Sequence, residues 1–359
     1  MEKMTAEKPA PEEKETSGKE ADKAVENAES AKKKKDPKDR LYKPEHRLFI
    51  LTSSPHDFRQ GSVPRIMWSV IAALVPTSAM AIYYFGLPAL WLMLACVVAS
   101  LVTEVIINRV KGQKPTAKDG SAIITGLLLA LTLPPTFSIT SAILGAIFAI
   151  AIGKQVFGGL GYNIFNPALI GRAFLQASFP VAMTTWKLPF VSFDGISAAT
   201  PLGQFKFEKI ATPIWPLLTG NIGGSLGETC AIAILIGGLF LLVKQYADWR
   251  IPVSYLGSVF VLGGLFWLID PVNYPDPVFL IFSGGLMLGA FFMATDMVTS
   301  PITPTGAWIF GLGAGILVVV IRFFGGLPEG VMYSILLMNA LTPLINRYTR
   351  PKFLGEVRQ

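Results

Sequence analysis

Charge is the commodity this 359-residue chain lacks. Charged residues are 15% of it, against about 25% in an ordinary soluble domain. The shortage is also uneven. Residues 1–65 hold 15 of the 31 Lys/Arg and 13 of the 24 Asp/Glu, so the other 294 residues carry only 16 basic and 11 acidic side chains. A body so poor in charge cannot cover itself with a water-facing surface, but it suits one that faces lipid. Cysteine is scarce too. Cys96 and Cys230 stand alone in apolar runs with no C-x-x-C pair, which excludes a four-thiolate iron–sulfur cluster held by this chain alone and leaves them as small core residues. Histidine occurs twice, at His46 and His56, too sparsely to suggest a metal site. The pI near 9.3 does not indicate nucleic acid, because no basic patch interleaved with aromatics, helix-turn-helix or zinc pattern accompanies it. No secretory signal is visible: the first apolar run begins near Ile66, behind a long hydrophilic stretch, and reads as a retained first span.

What is present is a series of apolar runs. A membrane-crossing helix needs about 20 mostly apolar residues. Ten candidates follow: 66–85, 88–107, 119–134, 137–156, 164–183, 229–246, 251–269, 277–295, 306–324 and 329–346. The third is short and ends at Pro134-Pro135, and the fifth carries Asn166, Pro167 and Arg172. Short or Pro/Gly-interrupted spans commonly mark broken helices at a ligand site. With both termini cytoplasmic, eleven basic residues of the body, from Arg109, Lys111 and Lys154 to Arg350 and Arg358, fall on the inner side. Only Lys187, Lys206 and Lys209 fall outside. That asymmetry sets the orientation and explains the basic pI.

The halves resemble each other. Phe157-Gly158-Gly159-Leu160 precedes span five and Phe324-Gly325-Gly326-Leu327 precedes span ten, each followed by a Tyr and an Asn-containing helix. Five spans per repeat force the second copy to be upside down. The expected fold is an all-α polytopic membrane protein of about ten transmembrane helices in two inverted five-helix repeats, with sites at their interface. The expected parts are a disordered, charged cytoplasmic tail (1–40), a cytoplasmic or interfacial segment (41–65), the first repeat (66–183), an outer loop (184–228), the second repeat (229–346) and a cytoplasmic C-terminal tail (347–359). The tail is too polar to offset the entropy of ordering, and its Lys32–Lys35 run has anionic lipid as an alternative partner.

The long loop contains Asp194-Gly195-Ile196-Ser197-Ala198-Ala199-Thr200-Pro201-Leu202. Asp-Gly makes a turn, small residues admit close backbone approach, and Pro201 fixes the chain after the Thr200 hydroxyl. Taken alone, these residues justify a tight polar loop. The stretch resembles the flavinylation motif of the RnfD and NqrB membrane subunits, approximately Asp/Ser-Gly-x-Ser/Thr-x-Ala-Thr. Four further runs fit the same family. They are Asp119–Gly126 leading to Leu133-Pro134-Pro135, Gly161-Tyr162-Asn163-Ile164-Phe165-Asn166-Pro167-Ala168, Met293-Ala294-Thr295-Asp296 with Ser300-Pro301, and Pro328-Glu329-Gly330. The match spans residues 60–355 and is nearer the Rnf form.

The resemblance implies FMN bound covalently, through a phosphoester, at Thr200, with Asp194, Gly195 and Ser197 as recognition positions. A flavin transferase would install it. It also implies a redox-driven translocase, active only within its complex, that moves electrons between NADH and ferredoxin and carries Na⁺ or H⁺ across the cytoplasmic (inner) membrane. Thr200 would face outward. Partners would be the other Rnf subunits, including a second subunit with covalent FMN and iron–sulfur membrane subunits, together with membrane lipid. An inner site for a second, non-covalent flavin such as riboflavin is implied by analogy.

Ionisable groups inside spans are costly and by default suggest function. Arg172 is a candidate for a flavin phosphate, with packing or carbonyl pairing at the repeat interface as its alternative. Asp296 is a candidate cation-coordinating carboxylate on an ion path, or the cap of a broken helix. Asn163 and Asn166 are expected to satisfy broken-helix backbone, with contact to a flavin as an added role. Glu104 and Arg322 are expected to snorkel to the interface. The rival readings are a channel or secondary transporter with inverted repeats and no covalent flavin, and a scaffold for partner subunits. Fold does not choose among them.

Overall fold

The computed structural model describes residues 62–112, 116–190 and 199–351. The chain divides into units 1–58 and 59–359, and every described residue belongs to the second. The tail expected over 1–40, both histidines, Asp194, Gly195, Ser197 and the last eight residues lie outside the described residues.

The described residues are helical, with no strand beyond a single bridging residue at Lys187. Each of the ten apolar runs contains a helix. Four are long and apolar enough to cross a membrane unaided: α1 (Val63–Phe85), α2 (Leu87–Val110), α10 (Arg250–Ile269) and α13 (Pro304–Phe324). The others are shorter, interrupted or more polar. They are α3 (Ser121–Leu131), α4 (Ile139–Ile150), α5 (Pro167–Ser178), α9 (Ala231–Val243), the broken pair α11 (Pro277–Phe282) and α12 (Leu286–Leu288), and α14 (Val331–Thr349). Three short helices, α6 (Pro180–Thr184), α7 (Pro201–Glu208) and α8 (Ile214–Thr219), lie between α5 and α9. Both α4 and α12 run directly into one wide π-type turn, Ala151–Gln155 and Gly289–Met293. The chain is therefore a multi-pass α-helical membrane protein. Its lipid-facing side is apolar: only 28% of the crossing stretch of α1, and 28% of that of α2, is buried inside the protein. Trp68, Tyr83 and Trp91 project outward from these two helices.

The short helices create a backbone problem. At 11 residues, α3 rises roughly 16 Å, about half the hydrocarbon thickness. No water is available there to satisfy its free carbonyls. The end of the loop expected over 184–228 solves this by folding back inside. Every residue from 222 to 230 is buried. The amide of Gly227 donates to the Leu131 carbonyl at 2.6 Å, and that of Leu226 to the Leu133 carbonyl at 3.1 Å.

Close helix contacts depend on small residues, as expected where lipid removes the hydrophobic drive. A Cβ at Gly311 or Gly315 of α13 would come within 1.9 Å or 1.7 Å of the Ser254 or Ser258 hydroxyl of α10. Those hydroxyls donate back to carbonyls of their own helix. Helix pairing recurs in the two halves. In the first, α2 packs on α3 and α4, and α4 on α5. In the second, α10 packs on α11 and α13, and α13 on α14. Across the halves, α1 meets α9 and α5 meets α14. The two Phe-Gly-Gly-Leu runs differ in backbone, however. Gly158 and Gly159 have φ of 120° and 98°, whereas Gly325 has φ of −78°.

Gly315→Val should therefore pry α10 from α13 and cost about 1–3 kcal/mol by overpacking. Gly257→Ala, where nothing lies within 4 Å of the added Cβ, should be neutral or better. Thermal unfolding of the two variants in detergent checks the contrast.

Candidate functional site

Three polar clusters lie within the helices. The innermost gathers around Lys154, which the wide turn after α4 directs into the protein. Its ammonium pairs with the Glu104 carboxylate at 2.8 Å and donates to the Ser121 hydroxyl at 2.7 Å. Thr116 donates to the other Glu104 oxygen and accepts from Asn108. Glu104 is 1% exposed and Lys154 2%. Glu104 thus does not snorkel: its charge is matched inside, and a stem leading to water is unnecessary. Lys154 likewise leaves the tally of inner-face cations without reversing the asymmetry.

Next to this pair is a cavity of about 80 Å³, bordered by Lys154, Ser121, Asn163, Asn166, Thr295 and Asp296. Asn166 caps the break before α5, accepting from the Ala168 amide at 3.0 Å, and its side-chain NH₂ donates to the Met293 carbonyl at 3.2 Å. It thereby ties the fifth span to the wide turn of the other half. Asn163 donates to the Phe165 carbonyl, while its Oδ1 is buried without a partner. Asp296 closes a turn, accepting from the Val298 amide and the Thr299 hydroxyl. The structure thus brings three of the sequence candidates, Asn163, Asn166 and Asp296, to one place. Among the described residues no group of three His, Cys, Asp or Glu side chains could hold a metal ion.

Arg172 lies elsewhere. It pairs with Glu329, just before α14, and both line a second cavity of about 70 Å³ with Glu228 and Ser225. Arg322 is 4% exposed and does not snorkel either. Its guanidinium donates to the Leu280 carbonyl at 2.6 Å and the Ser283 carbonyl at 3.0 Å. These are carbonyls at the end of α11, which breaks at Gly284 (φ 69°). A cation at a helix C-terminus satisfies orphan acceptors and opposes the dipole. Reasoning from sequence missed Lys154, Glu228 and Glu329. Glu228 and Glu329 stand three and two residues before the first residue of an apolar helix, and that position is the signal that could have found them.

Thr200 begins α7. Its hydroxyl oxygen accepts from the Gly203 amide at 3.1 Å, the usual N-cap arrangement, and it is 4% exposed. A Cβ at Gly203 would sit 3.2 Å from that oxygen, so glycine keeps the space beside it open. Leu202 rests on Gly284. Lys206, in the last turn of α7, donates to the carbonyls of Arg322, Gly325 and Leu327, and burial pushes its ammonium below the usual lysine range. Thr200 lines neither the Arg172 cavity nor the Asn163 cavity. Of its expected recognition neighbours, Asp194, Gly195 and Ser197 fall outside the described residues.

Broken spans with ion pairs buried among them define a multi-pass α-helical membrane protein with a polar interior. The chain belongs to the NQR2, RnfD, RnfE family, whose model matches residues 50–355. It is 46% identical over 322 residues to one subunit of a proton-translocating ferredoxin:NAD⁺ oxidoreductase complex from Clostridium ljungdahlii, covering 87% of this chain and 97% of that one. It is 45% identical over 313 residues to one subunit of a Na⁺-translocating ferredoxin:NAD⁺ oxidoreductase complex from Acetobacterium woodii, covering 86% and 96%. A subunit of an ion-translocating oxidoreductase complex from Stutzerimonas stutzeri is 42% identical over 331 residues, covering 83% and 93%.

Removing one member of the Glu104–Lys154 pair should strand a buried charge. Glu104→Gln alone should cost about 3–5 kcal/mol, and Glu104→Gln with Lys154→Met should recover much of it. A double-mutant cycle on unfolding in detergent measures the difference.

Proposed function

We propose that this chain is the membrane subunit of an Rnf-type complex that passes electrons between NADH and ferredoxin and couples them to Na⁺ or H⁺ transfer. It would carry FMN as a phosphoester on Thr200, at the outer face of the cytoplasmic membrane, with both termini inside. The observation that carries the cofactor reading is the state of the Thr200 hydroxyl. Its oxygen accepts a bond from Gly203 and donates none among the described residues, so an ester oxygen in the same place would still accept that bond, though more weakly. The cap leaves its proton free to be replaced. A phosphoryl group there would stand at the N-terminus of α7, where amide groups and the helix dipole favour anions. Bound there, FMN would supply a one- or two-electron carrier that cannot diffuse away.

The chain's own residues position and insulate that group. Pro201 holds the start of α7, Lys206 pins its last turn to carbonyls in the last turn of α13 and just beyond it, and Leu202 seats it on the break at Gly284. Thr200 as a whole is 4% exposed, so a group attached to it would be held close against the protein. The inner cavity is the place we assign to a second, non-covalent flavin such as riboflavin. Asn163 Oδ1, buried and without a partner, would accept from a ring N–H, and the cavity would have to widen to take the ring. Arg172 would act by holding the repeat interface through Glu329, and Asp296 would stand at the inner mouth of an ion path. The shared helix pairing supports two inverted five-helix repeats, and the positive-inside asymmetry supports this orientation. The names of the relatives support the complex, and with it the partner subunits.

The wild-type chain, produced with a flavin transferase, should show flavin fluorescence that stays with its band on denaturing electrophoresis. Thr200→Ala should abolish that fluorescence completely. Covalent flavin persisting in Thr200→Ala would overturn the attachment site. A wild-type chain with no chromophore that conducts solute by itself would instead favour a channel or transporter.

A further inference from the structure

Glu228 has a carboxylate that the packing of the helices does not explain. It is 4% exposed, and its Oε1 has no hydrogen-bond partner among the described residues. It stands in the returning segment 222–230, against two glycines: a Cβ at Gly285 would lie 3.1 Å from Oε1, and one at Gly224 would lie 3.1 Å from Oε2. The carboxylate is thus packed against backbone. The Ser225 amide and hydroxyl are the polar groups turned toward the other carboxylate oxygen, yet Ser225 Oγ is not fully satisfied, nor is Glu329 Oε1 on the same cavity. The charged groups around Glu228 are Glu329, Arg172 from α5 and Arg322 from α13. Of these, Arg172 is engaged by Glu329, and Arg322 donates to the Leu280 and Ser283 carbonyls. A buried carboxylate with one oxygen unsatisfied is costly. Three unsatisfied oxygens on one largely apolar cavity instead form a ligand set for a hard monovalent cation, or a proton site on Glu228 itself. Asp296 offers a contrast, since both its oxygens already have donors.

We propose that Glu228, with Ser225 and Glu329, forms a monovalent-cation site in the outer half of the membrane domain, taking H⁺ or Na⁺, and that this site is a station for the transported ion. The location fits. The returning segment meets the broken end of α3 and the break between α11 and α12, where backbone from both halves comes together. Arg172–Glu329 lies on one side of the cavity, so a cation at Glu228 competes with Arg172 for Glu329. Loading would loosen one pair while making another. The role as a transport station rests on the proposed function; the binding site does not.

The test is carbodiimide labelling of the full chain in membranes. Dicyclohexylcarbodiimide adds across a protonated carboxylic acid buried in an apolar setting and rearranges to a stable N-acylurea with no leaving group. Peptide mass mapping then locates the adduct. The expected result is an adduct on the peptide containing Glu228, slowed at least tenfold by Na⁺ but not K⁺ at fixed pH if the ion is Na⁺, or slowed only by raising pH if it is H⁺. No adduct on Glu228 at any pH, or an adduct indifferent to both Na⁺ and pH, would overturn the site. Labelling needs neither flavin nor electron flow, so a failure of the flavin reading leaves this result standing. In vesicles bearing the whole complex, Glu228→Asp should keep ferredoxin-driven ion uptake and Glu228→Gln should lower it at least tenfold. Unchanged uptake in Glu228→Gln would overturn the transport role while leaving the site itself to the labelling.

Discussion

The rest of the structure depends on one constraint: backbone broken inside a membrane must find its hydrogen bonds within the protein. Several spans stop short or change pitch, and three of the breaks are answered by a specific group. The amides of Leu226 and Gly227 reach the carbonyls at the end of α3. Arg322 takes two carbonyls at the end of α11. Asn166 caps α5 and also reaches the wide turn after α12. The answer comes from the loop between the halves in the first case and crosses from one half to the other in the third. The breaks therefore hold the halves together, and the polar side chains that serve them gather at the interface between halves.

That arrangement gives the site its chemistry. Buried cations and carboxylates in a low-dielectric interior are tolerated only when matched, and most here are: Glu104 with Lys154, and Arg172 with Glu329. One cavity borders Lys154 and the other borders Arg172 and Glu329, while Thr200 lines neither and is carried on a helix seated at the Gly284 break. An outer electron carrier on α7 would thus rest on the same segment that borders Glu228, because Leu202 and the Glu228 carboxylate approach Gly284 and Gly285, neighbours in the chain.

Much of this was legible in the sequence. Apolar runs and their lengths gave the helices, the Pro134-Pro135 stop marked the short α3, and Asn166-Pro167 marked a broken span with its cap. Thr200 before Pro201 was recognisable as a constrained hydroxyl, although the sequence did not reveal that it caps a helix. The misses have one cause. Glu104 and Arg322 sit near the ends of apolar runs, and one-dimensional reading sends such side chains to the interface. What keeps them inside is a partner 50 residues away for Glu104, and for Arg322 a pair of carbonyls about 40 residues away. Glu228 was hidden for a related reason: it belongs to a stretch that reads as outer loop, and only tertiary contact with Leu131 and Leu133 carries it inside.

Intact-mass spectrometry of the purified chain, followed by peptide mapping, tests the central claim most directly. The account requires the chain to be heavier by FMN less one water, with the added mass on the peptide that contains Thr200. A chain of unmodified mass, purified from cells that possess an active flavin transferase, would contradict it.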